Sequence, residues 1–123
     1  MTEQVLLVED ELFIALDLRE TIENEGYRVH GPCATLRDVL RLIEEIGVQE
    51  LAGAVLDVRL ADGQVFPAAD RLYSAGVPII FHSGHASDET LRERYPQATI
   101  CAKPCSPTLL MEALRASTAA RSA

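Results

Sequence analysis

Gln4-Val5-Leu6-Leu7-Val8-Glu9-Asp10 places an unbroken apolar run directly before two carboxylates. A strand with one face in water alternates apolar and polar side chains, so a run that is apolar at every position reads as a strand covered on both faces. The form recurs at Leu51-Ala52-Gly53-Ala54-Val55-Leu56-Asp57, and a third apolar run, Ala98 to Ala102, precedes Lys103-Pro104. In an open parallel α/β sheet, ligands bind outside the carboxyl ends of the strands, so charges scattered in sequence converge there. The expected pocket is acidic, with one lysine.

Two more segments, Tyr27 to Gly31 and Pro78 to His82, complete a set of five strands with Gln4 to Val8, Leu51 to Leu56 and Ala98 to Ala102. Helical patterns separate them. Leu36, Val39, Leu40, Ile43 and Ile46 follow helical spacing behind a Thr35/Asp38 capping box. Leu12 to Glu25 predicts a first helix stopped by Gly26, and Gln64 to Ala75 a third stopped by Gly76. Ser87 to Tyr95 is a short fourth, and Ser106-Pro107 starts the last, running through Leu110, Ala113 and Leu114. On the first helix, Leu12, Ala15 and Leu16 are the expected core residues, with Ile14 and Leu18 off that stripe. Strands alternating with helices require right-handed crossovers. The expected fold is a (βα)5 doubly wound, five-stranded parallel sheet in a single domain, residues 1–123, with strands one and three adjacent at its centre.

A net charge of −8 with no cluster of Lys and Arg argues against direct nucleic-acid binding. The apolar runs fall far short of the roughly 20 residues of a membrane span, and no basic segment leads into a signal core, so a cytoplasmic protein is expected. Cys33, Cys101 and Cys105 are odd in number and fit no zinc or CxxC spacing, which predicts reduced thiols.

Glu9, Asp10 and Asp57 bring three negative charges together, and at an effective dielectric of about 20 each close pair repels by about 4 kcal/mol. Such a cluster needs a counter-ion. Oxygen-only donors, with no Cys or His at these strand ends, suit Mg²⁺ better than zinc. A carboxylate beside a hard cation and Lys103 is poised to attack a phosphoryl group, and Asp57, ending the central strand, is the candidate nucleophile. Ser83, followed by Gly84, places a hydroxyl on the same side. Alone, each residue reads as a helix cap or a solvated loop charge; their joint placement after strands one, three, four and five carries the reading.

These residues resemble the receiver domain of two-component response regulators, and the resemblance covers the whole chain. It implies a flavodoxin-like strand order 2-1-3-4-5 and phosphorylation of Asp57 by a sensor histidine kinase or histidine phosphotransfer protein, followed by self-catalysed dephosphorylation. It further implies Mg²⁺ held by Asp10, Asp57 and the Arg59 carbonyl, with Glu9 acting through water. Ser83 and Lys103 contact the phosphoryl group, and the Lys103-Pro104 bond is expected to be cis. Ser83 would act as a switch residue, but Ile100 stands where the family usually has a switching Tyr or Phe, and Cys105 stands where Phe usually follows Lys-Pro. Pro78 to His85 is similar to a receiver subgroup that reads Pro-Phe-x-Phe-Ala-Thr-Gly-Tyr, with His85 in the tyrosine's place. By resemblance, Arg59 and His85 tune the lifetime of phospho-Asp57, and Phe13, Ile14, Leu18 and Cys105 are candidate kinase contacts. The length and the small polar end, Ser117 to Ala123, lead to the expectation of a stand-alone monomer or weak homodimer, with a domain of a longer protein as the alternative.

Two enzyme or binder classes fit less well. A haloacid-dehalogenase-like phosphatase needs a second acid two residues after its nucleophile, where this chain has Arg59, and a dinucleotide site would be repelled by Glu9-Asp10-Glu11. A receiver-fold binding module that acts without phosphorylation stays open, because Ile100 and Cys105 depart from the family pattern.

Overall fold

The two apolar runs lie side by side: β1 (Gln4–Val8) pairs in parallel with β3 (Leu51–Leu56), in a register that sets Val5 opposite Gly53 and Val8 opposite Leu56. This computed structural model describes residues 2–84 and 88–122. The remaining elements are α1 (Leu12–Asn24), β2 (Arg28–Cys33), α2 (Leu36–Ile46), α3 (Phe66–Ser74), β4 (Ile79–Ser83), α4 (Asp88–Arg94), β5 (Thr99–Ala102) and α5 (Pro107–Ser122). All four pairings within the five-stranded sheet are parallel, and its strand order is β2-β1-β3-β4-β5, as expected.

Successive side chains of a strand point to opposite faces, so each central strand feeds two cores. Leu6, Val8, Ala54, Leu56 and Phe81 pack on one face against Val39, Ile43, Ala69, Leu72, Leu91 and Tyr95 of the α2, α3 and α4 layer. Val5, Leu7, Val55 and Ile80 pack on the other against Leu18 and Ile22 of α1 and Leu110, Met111 and Leu114 of α5. A continuously apolar strand is thus buried on both sides, which is why these runs show no alternation.

The expected stripe on α1 is corrected. Ala15, Leu18 and Ile22 are buried, whereas Leu12 and Leu16 are 63% and 51% exposed. Both stripes begin apolar, but only the one through Ala15 and Leu18 continues to Ile22; the Leu12/Leu16 face runs on into Arg19, Glu20 and Glu23. The helix buries the stripe that stays apolar to its end.

Boundaries shift for local reasons. β2 continues past Gly31 to Cys33, with an irregular register opposite Leu6 to Val8. Gly31 has φ of 106°, and a Cβ there would come 2.3 Å from the Leu7 carbonyl oxygen, so only glycine fits. α3 starts at Phe66 because Gln64 is taken by a hairpin pairing Arg59–Leu60 with Gly63–Gln64, an element the sequence did not suggest. The fourth helix is Asp88–Arg94; its expected first residue, Ser87, lies outside the described residues.

The caps read from sequence are present. Thr35 Oγ1 accepts from the Asp38 amide at 3.1 Å, and Ser106 Oγ from the Leu109 amide at 3.1 Å. Such caps are each worth about 1 kcal/mol. Asp62, in the hairpin turn, adds a second cap to α2 by accepting from the Leu36 and Arg37 amides at 2.6 and 3.2 Å. Among the described residues, no helix is long and apolar enough to cross a membrane.

Candidate functional site

Parallel strands all end at one edge of the sheet, and backbone hydrogen bonds carry the ladder just past those ends. The Glu9 amide donates to the Cys33 carbonyl at 3.0 Å, the Asp57 amide to Val8 at 2.9 Å, and the Lys103 amide to Ser83 at 2.7 Å. Glu9, Asp57 and Lys103 are therefore held by sheet geometry rather than by loose loops.

One carboxylate oxygen from each of Glu9, Asp10 and Asp57 lies within 4.8 Å of the others. Glu9 and Asp57 are 2% and 7% exposed, while Asp10 faces solvent. The Lys103 ammonium donates to Glu9 Oε1 and Oε2 at 3.0 and 3.3 Å and to Asp57 Oδ2 at 3.2 Å, with Glu11 at 3.7 Å on the rim. One cation thus answers three clustered acids.

The electrostatics reflect that imbalance. Burial first, then the hydrogen bond and charge of Asp57, push the Glu9 carboxyl up to about 8, against a lesser pull from Lys103. Desolvation and Asp57 shift Asp10 in the same direction. Burial alone would lower Lys103, but its hydrogen bond to Glu9 and the charges of Asp57 and Glu9 outweigh this and hold the ammonium above its ordinary value. Closely spaced hard oxygens whose negative charge is suppressed for want of a partner fit a divalent cation with oxygen preference, which is the chemistry of Mg²⁺.

The other residues singled out in the sequence fall as follows. Ser83 ends β4 and is 1% exposed. Arg59 is exposed at the start of the hairpin that follows Asp57. Ile100 is half-buried on the α4 face of β5, directly opposite Phe81 in the register. The Lys103-Pro104 bond is cis. Cys105 is half-buried and packs with Cys101 against the α1–α5 core. His85 lies outside the described residues.

Leu18 is removed from the candidate contacts, because it is 8% exposed and part of that core. Phe13, at 85% exposed, keeps its place and is joined by Leu12, Leu16 and Leu109, which the sequence reading had not assigned to a surface. It also missed two polar groups. His82 is 5% exposed beside Ser83, and its Nδ1 has no hydrogen-bond partner among the described residues; burial and the Lys103 charge lower its pKa. Tyr95 donates to Asp70 at 2.6 Å across 25 residues of sequence, a pairing with no local signal.

Comparison with known proteins places this geometry. The phyllosphere-induced regulator PhyR of Methylorubrum extorquens is 32% identical over 110 residues, which is 87% of this chain and 40% of that protein. The chain thus spans less than half the length of that relative. SdrG of Sphingomonas melonis is 30% identical, with a TM-score of 0.76 over 94% of this chain and 96% of its own. A response regulator receiver protein of Sinorhizobium medicae is 24% identical and superposes with a TM-score of 0.86 over 98% of this chain and 97% of its own. The chain belongs to the response-regulator receiver family. No family model matches it. In this receiver Glu9, Asp57 and Lys103 directly follow β1, β3 and β5, Asp10 follows Glu9, and Ser83 is the last residue of β4.

Proposed function

We propose that this receiver accepts a phosphoryl group on Asp57 from the phosphohistidine of a sensor kinase or histidine phosphotransfer protein, in a Mg²⁺-dependent reaction, and signals by protein contact or by passing the phosphoryl group on. The observation that carries the reading is the Lys103 ammonium bridging Glu9 and Asp57 inside a three-carboxylate cluster. A half-buried lysine that bonds Glu9 and Asp57 but not Asp10 serves the fold poorly. It serves a site that awaits both a cation and an anion well.

In this reading an Asp57 carboxylate oxygen attacks phosphorus, the P–N bond breaks, and its electron pair returns to the departing imidazole. Asp10, Asp57 and the Arg59 carbonyl would hold the metal, and Glu9 would act through water. When bound, Mg²⁺ neutralises the acids and stabilises charge on the transferring oxygens. Lys103 pairs with a phosphoryl oxygen and the Ser83 hydroxyl donates to another, so both are drawn toward the roughly −1.5 to −2 charge that the phosphoryl group carries. Water later attacks phospho-Asp57 and returns phosphate, at a rate tuned by Arg59 and His85.

Leu12, Phe13 and Leu16 on α1 and Leu109 on α5 give the kinase or phosphotransfer partner an apolar surface. The protein works in the cytoplasm, without contacting nucleic acid, as a monomer or weak homodimer. The reading is tested on a phosphate-affinity gel with acetyl phosphate and Mg²⁺. A shifted band that needs the metal and is absent from Asp57→Asn supports it. Absence of any band, with acetyl phosphate and with phosphohistidine donors alike, would favour a receiver-fold binding module that acts without phosphorylation.

A further inference from the structure

The α4 face of the sheet contains a ring that the sequence does not place there. Ile100 stands opposite Phe81 in the β4–β5 register, so β5 brings no aromatic side chain to this layer. Tyr95, immediately after α4, does. Its amide closes the last turn onto the Leu91 carbonyl at 2.8 Å, and with Leu91 it forms the buried stripe of that helix, at 2% and 0% exposure. Its ring centroid lies 5.2 Å from Phe81 and 5.3 Å, edge-on, from Tyr73.

The end of α4 is also tied to α3. Asp70 Oδ1 accepts from the Tyr95 hydroxyl at 2.6 Å, and Asp70 Oδ2 from Arg94 at 2.9 Å. The Arg94 guanidinium lies over the Phe66 ring at 4.5 Å, and the Tyr73 hydroxyl accepts from the Gln97 amide at 3.2 Å. One carboxylate and two rings of α3 therefore clasp both sides of the α4 terminus.

We infer that Tyr95 is a positioning residue that couples Asp57 to α4: its ring senses β4 through Phe81, and its hydroxyl holds α4 against α3 until the strand end shifts. This deepens the phosphoacceptor reading and rests on it. Ser83 and Phe81 share one strand two residues apart, so drawing Ser83 toward a phosphoryl group displaces the strand on which Tyr95 rests. Packed rings respond by changing seat rather than by yielding gradually, because interiors are close-packed. In this chain the moving part is α4 itself, with its ring attached, rather than a ring on β5.

The test uses beryllofluoride with Mg²⁺ as a phosphoryl mimic, with ¹⁹F NMR to detect the adduct and hydrogen exchange to follow residues 88–95. Wild type is compared with Tyr95→Phe, Asp70→Ala and Asp70→Asn. In wild type, the adduct is expected to change exchange across 88–95. In Tyr95→Phe that segment should exchange about fivefold faster before any adduct forms, as befits one lost hydrogen bond, and in Asp70→Ala, which also loses the Arg94 bond, by at least as much; both should respond little afterwards. Asp70→Asn should fall between wild type and Asp70→Ala, because its amide oxygen still accepts from the phenol while its NH2 cannot accept from Arg94. An adduct that changes residues 88–95 equally in wild type and Tyr95→Phe overturns the coupling, as does faster exchange spread evenly over the whole chain in Tyr95→Phe. Failure of wild type to form any adduct overturns the phosphoacceptor reading and the coupling with it.

Discussion

The receiver holds two acidic centres of opposite design. At Asp70, one carboxylate meets two donors, the Tyr95 hydroxyl and the Arg94 guanidinium, which together hold its pKa below the ordinary value, the hydroxyl contributing most. At the strand ends, three carboxylates share one lysine, and burial with mutual repulsion drives Glu9 and Asp10 upward. The first centre is satisfied by the folded chain alone. The second keeps its acids in mutual conflict, and that conflict marks the site better than any single residue there.

The strongest way to break the contrast is to remove the Lys103 ammonium. Lys103→Ala leaves the phosphoryl oxygens without their fixed positive partner and should slow Asp57 phosphorylation by acetyl phosphate about a hundredfold or more, read as the initial rate of band formation.

Stability should then separate the centres by sign. Asp70→Ala strands the buried Tyr95 hydroxyl and should cost about 1–3 kcal/mol in urea unfolding. Asp10→Asn removes a repelled charge and should raise metal-free stability. If both substitutions destabilise, the strand-end acids are not in conflict and the comparison fails.

Acidity sharpens it further. Glu9 is raised from 4.5 to about 8 on folding, so the folded state binds its proton more tightly than the unfolded state does. Its contribution is fully present below the unfolded value and lost as pH rises through the folded one. Measured against Glu9→Gln, the metal-free melting temperature of wild type should therefore fall between pH 4.5 and about 8, a difference that saturating Mg²⁺ removes. The Asp70 centre runs the other way: its lowered pKa adds stability above the unfolded value that disappears only in acid.

The smallest effect belongs to a residue in neither centre. Phe13→Ser on the exposed face of α1 should change stability by less than about 0.5 kcal/mol. It should leave the acetyl phosphate reaction unchanged while slowing transfer from a phosphohistidine protein.

Much of this was readable from sequence because the governing patterns are local. Runs such as Leu6-Leu7-Val8 and Ala54-Val55-Leu56 declare strands buried on both faces, and each charged site residue follows its strand end directly. The caps at Thr35 and Ser106 were visible for the same reason. The rest depended on distance or on choice. Asp62 caps α2 from 26 residues away, and Asp70 reaches Tyr95 across 25, with no periodicity to announce either. On α1 two apolar stripes competed, and only the charges at Arg19, Glu20 and Glu23 decide which one faces water. Glu9 and Asp10 look equivalent on paper, yet the strand direction buries the first against Lys103 and leaves the second exposed.

The kink at Gly31-Pro32 has a consequence for how the protein tolerates crowding. β2 and β5 are the sheet's two outer strands, and an open edge is a template on which another chain's backbone can add a strand. On one side Pro32 supplies no N–H and the register breaks at the same point; on the other, β5 is only four residues long and is followed by Pro104. The continuously aliphatic runs of β1 and β3 stay enclosed in the middle of the sheet, away from either edge.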